Sequence, residues 1–244
     1  MNDSEQDPMS AAQTPMSKIN LALNVITTPS EAFSELAQRP SKLFPLALIL
    51  VSNALVLAWY FNIVDFDWYI DDVLAATNLE PEELDEAREA MGSLSQNNMM
   101  GFSMLGSIVG VLLIFVVQST YLSLVSALRG DNFKFSHWFS LVSWTALPFL
   151  LSTIGMAVTI LLSPSGQLSV YALDPLALRN LGMQSDNSSI QALYSTISLS
   201  MVWSIVLIAL GHKQWTESSW LRTSAVVFGP YLLIVGVWTY LAFA

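Results

Sequence analysis

The amino-acid sequence predicts an all-α, polytopic membrane protein: a bundle of five transmembrane helices with short amphipathic interfacial helices. Composition is the first observation behind this fold class. Hydrophobic residues make up 53% of the 244 residues and charged residues only 11%, whereas soluble domains contain about 25% charged residues. The charged residues are also clustered, which leaves five long segments without Asp, Glu, Lys or Arg. Because a membrane-spanning helix needs about 20 apolar residues, each segment is long enough to span.

The five charge-free segments define the predicted spans. We place them at residues 43–64, 99–128, 138–162, 190–210 and 223–243. A soluble protein would distribute charges along its surface helices, so this pattern argues against a buried soluble core. Pro148 and Gly155 predict kinks in the third span, and the Gly229-Pro230 pair predicts one in the fifth. Aromatic residues near the span ends are expected to be interfacial anchors, namely Trp59, Tyr60, Trp68, Trp138, Trp215 and Trp220.

Residues 1–42 form the predicted cytoplasmic N-terminal tail. Residues 1–16 are polar and acidic, which predicts a disordered segment without the order of a signal peptide. Apolar residues within 19–26 predict a helix lying on the membrane surface. A second helix follows, with Thr28 as its N-cap and Glu31 completing a capping box. These helices would either position the first span or form a docking surface for a cytoplasmic partner.

The basic residues indicate the orientation of the chain. Seven of the nine lie before the first span, after the second or after the fourth: Lys18, Arg39, Lys42, Arg129, Lys134, Lys213 and Arg222. The alternate loops contain only Arg88 and Arg179. Because basic loops stay in the cytoplasm, we expect a cytoplasmic N-terminus and a periplasmic or extracellular C-terminus.

The two loops of the opposite side each predict a short helix. Loop 65–98 contains ten acidic residues, and Pro81 begins a segment with apolar residues at helical spacing. The EF-hand order of ligands is absent, so we interpret this segment as a solvated acidic helix and not as a cation site. In the other loop, the sequence from Asp174-Pro175 to Gly182 predicts an amphipathic helix at the interface.

Ionisable chemistry is missing from the predicted spans. They contain no charged residue, and the chain contains no cysteine, which excludes thiolate catalysis and Cys-based zinc sites. His137 and His212 belong to no metal-binding or nucleophile motif. We therefore predict no catalytic residue, no metal site and no cofactor, and a protein that is not an enzyme. The net charge of −10 argues against a nucleic-acid partner.

A few uncharged residues within the spans are the candidate packing or contact residues. Asn53 lies near the middle of the first span and Gln118 deep in the second. Such side chains commonly form hydrogen bonds between helices, although contact with a substrate is an alternative. Gly106 and Gly110 form a GxxxG pattern, which favours close packing within the fold or, as a second option, a homo-oligomer. Pro148 completes this set of candidates.

In three segments, residues 28–33, 144–151 and 200–211, the chain resembles bacterial members of the Yip (Ypt-interacting protein) family. Residues 28–33 (TPSEAF) resemble the entry into the family's first span, together with Leu36, Arg39 and Pro40. Residues 144–151 (WTALPFLL) resemble its span with a central proline. Residues 200–211 (SMVWSIVLIALG) resemble its fourth span, which ends in glycine before a short basic loop. The resemblance makes residues 43–244 a Yip-like membrane domain of five spans.

The resemblance implies a non-enzymatic, multi-pass protein of the bacterial inner membrane. Eukaryotic relatives act in vesicle trafficking and bind prenylated small GTPases and one another. The predicted cytoplasmic tail of this chain, residues 1–42, lacks their extended N-terminal segment, which disfavours GTPase binding. Some bacterial relatives accompany ABC-type exporters as accessory subunits. The expected partners are therefore the lipid bilayer and another membrane protein, such as an exporter subunit.

Two functions follow as hypotheses. The first is a binding, assembly or accessory component of a membrane complex in export or trafficking, which the charge-free spans and the GxxxG face favour. The alternative is a small membrane transporter or channel that uses the kinked third and fifth spans. This alternative predicts a water-accessible cavity that reaches Asn53 and Gln118. For an intramembrane enzyme, the sequence contains no catalytic constellation.

Overall fold

The structure, a computed structural model, describes residues 15–77, 79–163 and 165–243. Within these ranges the chain forms twelve α-helices, one 3₁₀ helix (Val170–Ala172) and no β-strand. Most of the predicted disordered segment 1–16 lies outside the described residues. In chain order the α-helices are α1 (Lys18–Thr27), α2 (Pro29–Gln38), α3 (Leu43–Ile63), α4 (Phe66–Ala75), α5 (Pro81–Gly92), α6 (Gln96–Leu128), α7 (Phe135–Thr145), α8 (Phe149–Leu161), α9 (Ser188–Thr196), α10 (Leu199–Thr216), α11 (Trp220–Val227) and α12 (Gly229–Phe243).

Several of these helices are long and apolar enough to cross a bilayer. Among the described residues, α3, α6 and the consecutive helices α7 and α8 meet this criterion. Helices α11 and α12 meet it only as a pair, which is bent by 46° at the junction. The chain therefore contains three candidate spans, or four if the bent pair is one span. The all-α class is confirmed, whereas the predicted number of five spans is not.

The predicted span 190–210 is divided between two helices. Helix α9 ends at Thr196, and α10 begins at Leu199 after two extended residues. The interruption has a clear cause in the backbone hydrogen bonds. Leu178 N–H donates to the carbonyl oxygen of Ile197 at 2.9 Å, and Leu199 N–H donates to that of Leu176 at 3.0 Å. These bonds to the preceding loop replace the bonds that would continue a helix.

Helix breaks occur at the two predicted kink positions that contain proline, whereas α8 continues through Gly155. Helix α7 ends at Thr145 and α8 begins at Phe149, directly after Pro148. Proline lacks a backbone N–H and its ring clashes with the preceding turn, so α7 cannot continue through it. In the last pair, α11 ends at Val227 and Pro230 occupies the first turn of α12, where its N–H is not needed.

Helices α1 and α2 pack onto one end of the bundle, which we call the basic end. Five apolar side chains from these two helices are buried against α7 and α10: Leu21, Val25, Ala32, Phe33 and Leu36. Helix α2 begins at Pro29, as predicted, but Thr28 makes no side-chain capping hydrogen bond. Instead, the carboxylate of Glu31 accepts a hydrogen bond from Asn24 Nδ2 at 3.3 Å. Helices α1 and α2 therefore belong to the core of this end.

The opposite, acidic end has its own core around the C-terminal end of α3. This core contains Tyr60, Phe61, Tyr69, Ile70 and Leu173. Helix α5 begins at the predicted proline and buries none of its residues. The predicted helix over 174–182 is wrong, because this segment forms turns. Backbone N–H groups of this segment instead donate hydrogen bonds to the carbonyl oxygens of residues 194 and 197. These bonds hold the segment against the break between α9 and α10.

Candidate functional site

Asn53 connects the first two candidate spans. The hydroxyl of Ser107 on α6 donates a hydrogen bond to Asn53 Oδ1 on α3 at 2.7 Å. Both side chains are half-buried. A hydrogen bond of this kind contributes about 1 kcal/mol or less to helix association in a membrane. Asn53 therefore makes the interhelical contact that its position in the sequence suggests, and it also borders a cavity.

This acidic-end cavity has a volume of about 390 Å³, within the range of about 300–1,000 Å³ that is typical of small-molecule sites. Helices α3, α4, α6, α8 and α9 and the turns at 170–177 enclose it. Apolar side chains form part of the lining, including Leu57, Phe61 and Met156. Its polar lining includes an amide, two phenols, a carboxylate and hydroxyl groups, from Asn53, Tyr69, Tyr171, Asp174, Ser103 and Ser107.

The electrostatic character of the acidic-end cavity is negative. Among the described residues, Asp174 is the only carboxylate in the lining, which contains no Lys, Arg or His. Burial raises the pKa of Tyr69, and Tyr171 and the neighbouring Asp72 raise it further. The phenol of Tyr69 therefore remains a hydrogen-bond donor at neutral pH. A cavity with donors, acceptors and one negative charge suits a ligand that is neutral or positively charged.

Gln118 lies in a different place, in a groove between α6 and the bent pair of α11 and α12. Its Nε2 donates a hydrogen bond to Tyr231 Oη, and Tyr121 Oη donates to the backbone carbonyl oxygen of Val226 at 3.0 Å. This lateral groove has a volume of about 650 Å³ and is otherwise lined mostly by apolar side chains. It shares no lining residue with the cavity beside Asn53. The structure therefore places the two predicted polar residues in two separate sites.

The glycines of the GxxxG pattern are not closely packed. A methyl group added at Gly106 or Gly110 would have no neighbouring heavy atom within 4 Å. Close approaches occur at other glycines. A methyl group at Gly155 would lie 2.7 Å from Cγ of Pro175, and one at Gly211 would lie 2.5 Å from Leu141. Since neither belongs to a GxxxG pair, the sequence did not indicate close packing at either position.

Pro148, the last of the predicted residues, has a structural position. It is buried and precedes the first residue of α8. One turn earlier, Trp144 is fully buried and its Nε1 donates to the carbonyl oxygen of Ser41 at 2.5 Å. The hydroxyl of Ser140 donates to the same oxygen at 2.7 Å. These bonds attach the segment that precedes α3 to helix α7.

The basic end contains an aromatic cluster that includes both histidines. Trp138 and Trp215, which we expected to be interfacial anchors, are buried, as is Tyr60 at the acidic end. The ring of His212 lies 5.7 Å from that of Trp138, and His137 lies 6.4 Å from Trp215. Burial and, to a smaller extent, the charge of Arg129 lower the pKa of His212 to about 4, while Asp131 opposes the shift. His212 is therefore neutral at physiological pH.

A comparison with protein families identifies this architecture. The family model of the Yip1 domain matches residues 23–241, nearly the whole chain. The chain belongs to the Yip family. No curated protein and no solved structure matches the chain. Family membership agrees with the apolar helices in indicating a membrane protein.

The Yip domain of this chain contains both sites and the aromatic cluster, since all of them lie within the matched residues. Sequence reasoning identified one polar residue of each site, Asn53 and Gln118. It missed Tyr231 and Asp174 as site residues because their neighbours come from distant parts of the chain. The signal available for Tyr231 was its position next to Pro230, where a bend opens the groove.

Proposed function

We propose that this Yip-family protein is a non-enzymatic component that helps to assemble or support a membrane complex in export or trafficking. Its partner is another membrane protein, for which an exporter subunit is the leading candidate. We place it in a bacterial inner membrane, with the basic end and the N-terminus in the cytoplasm and the C-terminus on the other side. The excess of basic residues at the basic end supports this orientation.

The lateral groove is the observation that carries the proposal. Its α6 wall faces outwards, with three apolar side chains exposed by 59–61%: Leu113, Ile114 and Val117. The opposite wall, α12, has no buried residue. Two candidate membrane helices therefore face each other across an open groove, where a further helix would contact both of them.

The polar pair within the groove favours a protein helix over lipid as the occupant. Gln118 donates through Nε2 to Tyr231, while its Oε1 has no hydrogen-bond partner among the described residues. Acyl chains cannot satisfy this oxygen, whereas a transmembrane helix with a hydroxyl or amide side chain at the same depth can. Val117 of the groove follows Gly106 by 11 residues, or three helical turns. Both residues therefore lie on the same side of α6. An open glycine there permits close approach of the partner helix.

Site-specific photo-crosslinking in native membranes tests this proposal. A crosslinking amino acid is placed at Ile114 or Leu233 in the groove, and at Val51 on α3 as a control with similar exposure. We expect both groove positions to capture the same membrane protein and Val51 not to capture it. Gln118→Leu should reduce the crosslinked product several-fold, and the purified partner should reproduce the adduct in liposomes. Equal capture from Val51, or no effect of Gln118→Leu, would contradict the proposal.

A small transporter or channel is the second candidate function. The cavity beside Asn53 favours it, because the cavity combines polar groups with a position between three candidate membrane helices. The lateral groove at Gln118 adds no polar path, since its lining is mostly apolar. Flux of small solutes into liposomes that contain the purified chain, compared with empty liposomes, distinguishes this function from assembly.

A further inference from the structure

We propose that the acidic-end cavity is a binding site for a small organic ammonium ion. This inference goes beyond a role in assembly, and it concerns the end of the molecule opposite to the aromatic cluster. It is based on the shape of the cavity, the chemistry of its walls and the charge of the surrounding segment.

The walls of the cavity provide complementary groups for the two parts of such a ligand. Asp174 supplies a negative charge: its Oδ1 accepts from Leu176 N–H at 3.0 Å, while its Oδ2 has no hydrogen-bond partner among the described residues. Tyr69 and Tyr171 supply aromatic rings, which attract cations through their faces. The guanidinium of Arg179 lies 5.1 Å from the centre of the Tyr171 ring and covers one face of it, so the ligand would use the opposite face. Leu57 and Met156 provide apolar contacts for the carbon part of the ligand.

The field around the cavity attracts cations. The segment 65–98, which includes α4 and α5, contains ten acidic residues and a single basic one, Arg88. The charge of Arg88 is compensated by Asp71, whose carboxylate lies 2.8 Å from the guanidinium. Acidic surroundings of this kind raise the local concentration of cations at the entrance to a cavity.

Other ligand classes fit the cavity less well. An anion such as a phosphate would lie beside Asp174 with no basic side chain in the lining to compensate its charge. A bare divalent metal ion needs six or more oxygen ligands, commonly from several carboxylates, but Asp174 is the only carboxylate in the lining. An organic ammonium ion needs only one carboxylate, because aromatic and apolar groups complete its surroundings.

Calorimetric titration of the full-length protein in detergent tests the proposal with a matched pair of probes. Choline is a small ammonium ion, and 3,3-dimethylbutan-1-ol has the same shape with carbon in place of the charged nitrogen. We expect saturable binding of choline and binding of the alcohol at least about tenfold weaker, which corresponds to about 1.4 kcal/mol. Equal binding of the two probes, or no binding of choline at concentrations on the order of 10 mM, would overturn the proposal.

Two substitutions with the same change in charge locate the site. Asp174→Asn keeps the oxygen that accepts from Leu176 and removes only the charge. It should weaken choline binding by about tenfold or more. Glu217→Gln removes a charge from an exposed side chain at the basic end, far from the cavity, and should leave binding unchanged within about twofold. If the two variants bind choline equally, the site is not at Asp174.

A further variant keeps the proposal testable if Asp174→Asn does not fold. Ser103→Leu fills the cavity from α6, at a position whose side chain is half-buried in the wall. It should weaken the binding of choline while the unfolding midpoint changes little. Undiminished choline binding by this variant would place the ligand elsewhere and overturn the proposal.

Discussion

The indole N–H of Trp215 donates a hydrogen bond to the backbone carbonyl oxygen of Phe33 at 2.9 Å, across 182 positions of the chain. Its neighbour Gln214 donates to the carbonyl oxygen of Ser30 at 2.9 Å and to the hydroxyl of Ser34 at 2.8 Å. The C-terminal turn of α10 thus forms hydrogen bonds with residues 30, 33 and 34, which lie on one side of α2. The N-terminal helices are fixed to the bundle by specific contacts as well as by burial.

Replacement of Trp215 should loosen this attachment. In Trp215→Phe, the carbonyl oxygen of Phe33 loses the hydrogen bond from the indole, which should lower the free energy of unfolding by about 0.5–1.5 kcal/mol. Unfolding in mixed micelles measures the loss, and faster tryptic cleavage after Lys18 or Arg39 shows where it occurs. Trp203→Phe is the matched control, because Trp203 lies on the same helix but is 44% exposed. Similar losses for both variants would show that the hydrogen bond to α2 is unimportant.

The stability of the basic end should decrease in mild acid. His212 lies beyond the predicted fourth span, and burial lowers its pKa from 6.5 to about 4 in the folded protein. Because the unfolded chain binds this proton more readily, the stabilisation is complete above pH 6.5 and is lost as the pH falls towards 4, by at most about 1.4 kcal/mol per pH unit. Unfolding midpoints between these pH values measure the effect. His212→Asn should reduce this slope, and an unchanged slope would assign it to other groups.

The two predicted polar residues should differ in their access to water. The chain has no cysteine, so single cysteines can be introduced without any background. Asn53→Cys should react with a membrane-impermeant thiol reagent because position 53 lines a cavity that includes several polar side chains. Gln118→Cys should react far more slowly because its groove is mostly apolar. Reagent applied separately to each side of the membrane also tests the orientation: labelling of position 53 from the cytoplasmic side would contradict a cytoplasmic basic end.

The glycines of the chain should tolerate alanine unequally. In Gly155→Ala, the new methyl group would lie 2.7 Å from the rigid ring of Pro175, so α8 and the turn must separate. We expect a loss of about 1–3 kcal/mol in the free energy of unfolding. Gly106→Ala should leave it unchanged or slightly raise it, since that position has open space. Thermal unfolding of both variants in the same detergent gives the comparison, and an equal loss would place Gly106 in a packed contact.

The sequence predicted local features well, because they depend on neighbouring residues. Pro148, Pro230 and Pro81 each lie at or next to the start of a helix. The reason is local, because proline lacks the backbone N–H that a position inside a helix needs. The prediction over 174–182 failed because backbone bonds to residues 194 and 197 outweighed the local helix signals. No local pattern contains that information.

The candidate sites could be predicted only in part, for a related reason. The uncharged polar residues Asn53 and Gln118 stand out in apolar segments, but the sequence does not show which of them share a cavity. The tryptophans show likewise that position near a span end does not predict exposure. Trp138 and Trp215 lie near predicted span ends, as interfacial anchors do, yet they are buried because α1 and α2 fold over them.

The absence of buried residues from α12 has a consequence for what holds this helix in place. Its 15 residues are held mainly by contacts with α9 and α11 and by the hydrogen bond to Gln118. The transfer of its side chains into hydrocarbon therefore accounts for most of the energy that keeps it in place. Such a helix, which is long enough to cross a bilayer only together with α11, depends for its position on the lipid more than on the protein core.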